Sequence, residues 1–246
     1  MSKKAFSLVE LSLVIVIIGL LIGGISAGKQ VIENAKLRAT IAKIKQYEVA
    51  LNSFYTQYKK LPGDIDNATD FWSGTQNGDA DFQIDAPCTG GPNGLESLIS
   101  LEHLSLAELI TGSFTGIGVT DGAESELAAL GTNVDNFPYA GSAAIFHYLT
   151  SYTLYSSGPT ITTNKNVLNI GAPSASCPTL DTPILSSVEA YMIDQKLDDL
   201  NPGTGYILSG AATTDCAETV NSIYEYNVDS DETCLIYYVL EGLDLL

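Results

Sequence analysis

From Phe6 to Ala27 the chain reads FSLVELSLVIVIIGLLIGGISA, and Glu10 is the one charged residue in an otherwise apolar or small run. At about 1.5 Å per helical residue, such a stretch covers the ~30 Å hydrocarbon core of a bilayer. From Lys29 the pattern turns amphipathic, with Leu37, Ile41, Ile44, Tyr47, Leu51, Phe54/Tyr55 and Tyr58 at spacings of three and four. No proline interrupts it before Pro62, and Leu61-Pro62-Gly63 supplies a stop. The pattern predicts one helix over residues 6–58, a rod of roughly 80 Å. Its first half is apolar all round, and its second half carries one apolar stripe for a globular head to cover.

Beyond the stop the periodicity shortens. DIDNATDFWSGTQNGDADFQIDAPC is rich in turn formers, and Gly94 to Gly112 reads as a second helix. Phe146–Tyr155 fits helix or strand, while Asn166–Ile170, Tyr206–Ser209, Ser222–Asn227 and Leu235–Leu240 fit strands. Between them, SSVEAYMIDQKLDDLNPG predicts a short helix, opened by the capping pair Ser186 and Glu189 and stopped by Asn201-Pro202-Gly203. The expected class is α+β: a long N-terminal helix, membrane-spanning and then amphipathic, packed on a head with an antiparallel sheet. The divisions are a leader at 1–5, the helix at 6–60 with 6–27 in the membrane, and the head at 61–246.

Charge divides along the same line. Residues 1–60 hold nine of the eleven Lys/Arg against Glu10, Glu33 and Glu48, whereas the head holds 26 acids against Lys165 and Lys196, a formal −24. Such a head repels nucleic acid, so no nucleic-acid partner is expected. Lys29, Lys36, Arg38, Lys43, Lys45, Lys59 and Lys60 form either a solvated helical face or a surface that meets the acidic heads of adjacent subunits.

The leader KKA, the junction FSLVE and the run LSLVIVIIGLLIGG together resemble the N-terminus of the type IV pilin-like superfamily, which comprises type IV pilins and type II secretion pseudopilins. KKLPGDIDNATDFW, EHLSLAELITGSFTG and IDQKLDD resemble later segments of a subset of these proteins. The resemblance implies cleavage by a prepilin peptidase between Ala5 and Phe6, N-methylation of Phe6, and polymerisation through the helix with the help of an inner-membrane assembly platform. Ala5 stands where the family usually has glycine. Glu10, fifth in the mature chain, is implied to pair with the N-terminal amine of a neighbouring identical or homologous subunit. An α-amine is cationic at neutral pH, and a carboxylate in an apolar setting needs such a partner. The implied location is the bacterial inner membrane, N-terminus cytoplasmic and helix among lipids, and then a periplasmic or extracellular filament.

Four cysteines allow three pairings. Resemblance to the family's C-terminal disulfide loop favours Cys216–Cys234, which leaves Cys88 and Cys177 as the second pair. Asn77, Asp79, Asp81 and Asp85 offer oxygens at alternate positions, as in the first half of a Ca²⁺-binding loop, although Phe82 stands where such a loop wants glycine; a plain acidic turn is the other reading. Asp194, Asp198 and Asp199 read as a capped helix end. Enzyme signatures fail: His103 and His147 lack metal-site spacing, and the G-x-S-x-G match at Gly24–Gly28 lies at the end of the apolar helix rather than at a strand-to-helix turn. The expectation is a structural subunit, without catalytic residues and with no cofactor besides the Ca²⁺ candidate.

Overall fold

The apolar pattern becomes one continuous helix. The computed structural model describes residues 8–85, 96–117, 119–120, 126–156, 158–174, 179–210, 215–220, 223–228 and 233–240. In it α1 (Leu8–Tyr58) runs unbroken for 51 residues, about 76 Å at the standard rise. Leu8 to Ala35 are all exposed, whereas Leu37, Thr40, Ile44, Tyr47, Ala50, Leu51 and Phe54 form a buried face at spacings of three and four. After Tyr58 the backbone turns left-handed at Lys59 (φ 59°), and Pro62 has no N–H with which to continue a helix. Gly63 (φ 92°) then lets the chain double back under α2 (Glu96–Leu106): a Cβ there would lie 2.3 Å from the Glu96 carbonyl oxygen.

The second helix is shorter than the glycine boundaries suggested. Glu108 adopts φ 58°, the Leu109 N–H reaches the Leu104 carbonyl at 3.0 Å, and the Glu108 N–H reaches Ser105 at 3.0 Å. This is a Schellman-type C-terminus with glutamate in the place glycine usually fills, so the helix ends before Gly112 is reached.

A two-residue ladder joins β1 (Val119–Thr120) and β2 (Glu126–Leu127). There follow β3 (Asp135–Asn136), β4 (Ala143–Thr153), β5 (Thr160–Gly171), β6 (Leu185–Ser186), α3 (Ser187–Leu197), β7 (Ile207–Gly210), β8 (Ala217–Val220), β9 (Ile223–Tyr226) and β10 (Thr233–Val239). The main sheet is antiparallel, in the order β3-β4-β5-β10-β6, with β7 also paired to β10; β8 and β9 form a separate hairpin. The ambiguous stretch around Phe146 is therefore strand, held against β5 from Ala143↔Gly171 to Thr153↔Thr160 with one irregularity near Leu149. At the start of α3, Ser186 and Glu189 form the expected reciprocal cap. The class is α+β.

Alternation along β10 separates two apolar clusters. Cys234, Ile236 and Tyr238 face the core shared with α1, whereas Leu235, Tyr237 and Val239 face a smaller cluster that includes Ala217 of β8. The Tyr47 ring meets Phe146 of β4 edge-on at 5.5 Å and stacks on Phe137 at 6.4 Å, and its hydroxyl donates to the Asp135 carboxylate. Phe54 packs with Tyr58, Trp72 and the His103 ring. Of the two cysteine pairs expected, Cys216–Cys234 is present, joining the start of β8 to β10; Cys88 and Cys177 lie outside the described residues. Closing a loop of this size stabilises a fold by about 3 kcal/mol on chain-entropy grounds.

Replacing Phe54 by alanine should cost about 3–5 kcal/mol, because the ring is fully enclosed. The same change at Val49, on the opposite side of α1 and 66% exposed, should stay within about 0.5 kcal/mol. Urea titration of the full chain in detergent micelles reads both values, and equal losses would mean that the head does not close on α1.

Candidate functional site

Two features of the chain bear on function: the uncovered half of α1 and an acidic loop that joins it to the head. Among the described residues, α1 is the one helix long and apolar enough to cross a membrane, and it lies near the N-terminus. Glu10 sits in its first turn, exposed, with apolar neighbours along the helix. A carboxylate there also faces the positive end of the helix dipole. Ala5 and Phe6, the expected cleavage and methylation positions, lie outside the described residues.

The acidic loop is built differently from the expected Ca²⁺ loop. Asn77 Oδ1 accepts from the Thr69 N–H at 3.0 Å, and Asp81 Oδ1 accepts from the Gln83 N–H at 2.8 Å, so these side chains close turns of their own loop. The converging oxygens belong instead to Asp64, Asp79 and Glu96, within 4.8 Å of one another. Of the four candidates Asn77, Asp79, Asp81 and Asp85, only Asp79 belongs to that group; Asp85 approaches it through its backbone N–H, which donates to Glu96 at 3.0 Å. Phe82 makes the sharp turn without glycine, at φ 67°, because its N–H and that of Asp81 are drawn to the Asp64 carboxylate at 3.0 and 2.9 Å.

Asp64 and Glu96 are both buried. Glu96 accepts from the N–H groups of Asp79 and Asp85. Burial pushes Asp64 up to about 7 and Glu96 up to about 8; the accepted N–H bonds oppose the shift, and the neighbouring carboxylates add to it. Asp64 and Glu96 therefore favour the protonated form more than ordinary carboxyl groups do. Around it, His103 Nδ1 accepts from the Gly63 N–H at 3.0 Å while Nε2 faces Thr75 Oγ1 and the Gln76 carbonyl. Burial lowers His103 to about 4. Asn166 of β5 bonds Ile84 N–H and the Phe82 carbonyl, tying the loop to the sheet. Sequence reading missed Asp64 and Glu96. The available signal was an acid at the head of the apolar run ESLISL and another just after Pro-Gly, both places where a side chain is enclosed.

No family model, curated protein or solved structure matches this chain.

Ligand oxygens of Asp194, Asp198 and Asp199 also lie within 4.8 Å of one another, at the end of α3. Asp194 is buried, accepts from the Tyr226 hydroxyl at 2.8 Å and the Leu200 N–H at 3.0 Å, and is raised to about 6 by burial. Asp198 and Asp199 accept from N–H groups beyond the helix end, as a cap does. His147 is buried, stacked on Tyr237 and lowered to about 4 by burial. Several cations of this segment are engaged within the same chain: Lys43 pairs with Asp135 at 2.8 Å, Lys45 with Glu48 of the same helix and with the Tyr238 hydroxyl, Lys36 of α1 lies over the Tyr139 ring, and Lys60, just beyond α1, lies over the Phe82 ring.

Asp64 and Glu96 have folded-state values raised above their unfolded ones, so the stability they contribute is complete below about pH 4 and is lost as pH rises through 7 to 8. The unfolding free energy of the chain should fall over that range. Glu96→Gln should flatten the slope by up to about 1.4 kcal/mol per pH unit, measured by urea titration at successive pH values. An unchanged slope would place the proton elsewhere.

Proposed function

We propose that this chain is a structural subunit of a type IV pilus-like filament. It is made as an inner-membrane protein with its N-terminus cytoplasmic, cut between Ala5 and Phe6 by a prepilin peptidase, methylated at Phe6 and polymerised through α1. The observation that carries the reading is the division of α1: the head covers only its second half, and Leu8 to Ala35 stay exposed while carrying one acid near the start. An apolar rod of that length has two suitable surroundings, lipid and other rods like itself. A plain anchor has no use for a carboxylate inside the apolar run, whereas a bundle of identical rods can pair it with the cationic amine of a neighbour's Phe6. Glu10 would then set the stagger between subunits.

A structural rather than catalytic role also suits the head. Its buried carboxylates accept backbone N–H bonds, and its two histidines are enclosed and neutral. The same features serve a type II secretion pseudopilin, a shorter filament of the same class.

Mass spectrometry of the N-terminal peptide, from membrane and sheared-surface fractions of the native host, tests the proposal. The expected chain begins at N-methylated Phe6, and Glu10→Leu should lower the assembled fraction at least about tenfold, as loss of a buried ion pair of several kcal/mol requires, with the membrane-bound amount unchanged. Abundance in the sheared fraction would mark a surface pilus, and confinement to the envelope a pseudopilus. An intact leader together with a harmless Glu10→Leu would replace the reading with an uncleaved, membrane-anchored ectodomain.

A further inference from the structure

Besides the first half of α1, the head itself carries an uncovered apolar surface. Val188 and Met192 on the outer side of α3 line two adjoining clefts. One, of about 290 Å³, lies between α3 and α1 and includes Leu37 and Tyr139, with Glu33 and Glu189 at its edge. The Tyr139 hydroxyl is buried there with no hydrogen-bond partner among the described residues. The other, of about 640 Å³, lies between α3 and β9 and includes Leu200, Ile223 and Val228. Because Val188 and Met192 belong to both, the clefts form one groove along α3, and its five apolar wall residues on α3, β9 and the adjoining turns are each more than a third exposed.

The groove has a charged border. On the exposed face of the β8–β9 hairpin, Glu218 stands directly opposite Glu225. Like charges in that position repel, and a cation placed between them relieves the repulsion. A complementary strip occurs elsewhere on the same chain. Val31, Ala35, Arg38, Ala42 and Val49 are exposed and recur at helical spacing along α1, roughly 120° round the helix from buried Leu37 at 100° per residue. Val31 is 68% exposed. Small residues let a helix approach closely, and Arg38 sits in the middle of the strip.

We infer that the α3–β9 groove docks the Val31–Val49 strip of α1 from a second copy of this chain, with Arg38 seated between Glu218 and Glu225. Apolar side chains of the strip fill the groove, and its one cation answers the paired carboxylates. Strip and groove are different surfaces and each copy offers one of each, so a head-to-tail contact of this kind can propagate along a filament. The inference rests on the filament reading for its setting and adds to it a contact between head and rod, separate from the packing of the apolar segments.

The test uses the full chain in intact membranes. A tagged copy carrying Ala35→Cys is co-expressed with a copy carrying Ile223→Cys and treated with a short bismaleimide, with the parent chain as background. A cross-linked pair is expected. Arg38→Glu in the first copy should weaken it about fivefold or more, and Glu225→Arg in the second should restore it. A product indifferent to Arg38→Glu overturns the inference. So does the absence of a 35–223 product while copies carrying Ile15→Cys still cross-link through the apolar segment, and in that case the filament reading stands. If neither pair cross-links, both readings fall.

Discussion

Backbone hydrogen bonding in α1 is uniform from Leu8 to Tyr58, so the two environments this helix meets are distinguished by side chains alone. The head is assembled on its second half. Leu37, Ile44, Tyr47, Leu51 and Phe54 supply the apolar face, and the enclosed rings of Tyr47 and Phe54 fix where the sheet and α2 lie against it. Because no break separates the halves, any force on the exposed half reaches the core of the head directly. The sharp stop at Pro62 and Gly63 matters for the same reason, since it returns the chain alongside the helix that it has just left.

Charge in the head follows a consistent logic. Among the described residues most acids of the head are not buried, and the buried ones accept backbone N–H bonds: Asp64 and Glu96 around the loop after α1, and Asp194, which also accepts from the Tyr226 hydroxyl, near the end of α3. These carboxylates organise turns that glycine would otherwise have to make. Phe82 and Leu200 adopt left-handed backbone in two such places, and in each the residue's own N–H donates to the carboxylate, of Asp64 and Asp194 respectively. The cations of α1 are partly absorbed by this scheme, as Lys43 and Lys45 show.

Much of the architecture was legible beforehand, for physical reasons that differ from element to element. The long helix could be read because periodicity over fifty residues outweighs any local ambiguity, and the α3 cap because its two residues must stand three apart. The end of α2 could not, because it depends on a left-handed glutamate. The stretch around Phe146 could not be assigned until its partner strand was known, since a short apolar run fits both periods. The Ca²⁺ candidates were read from spacing along the chain alone. Alternating acids look convergent on paper, but Asn77 and Asp81 turn onto backbone of their own loop, and the oxygens that do converge, of Asp64, Asp79 and Glu96, come from positions apart in the chain that the fold brings together.

The position of β10 governs the order of assembly. This strand pairs with β5, β6 and β7 and delivers Cys234 to its disulfide, and it meets α1 where Tyr238 bonds Lys45, 193 positions away. Contacts so distant along the chain form slowly. A ribosome would release α1 long before the strand that completes the sheet, so the buried face of the helix must wait without its cover. The first half of α1 adds to that demand, because Leu8 to Ala35 stay exposed even when the described head is complete.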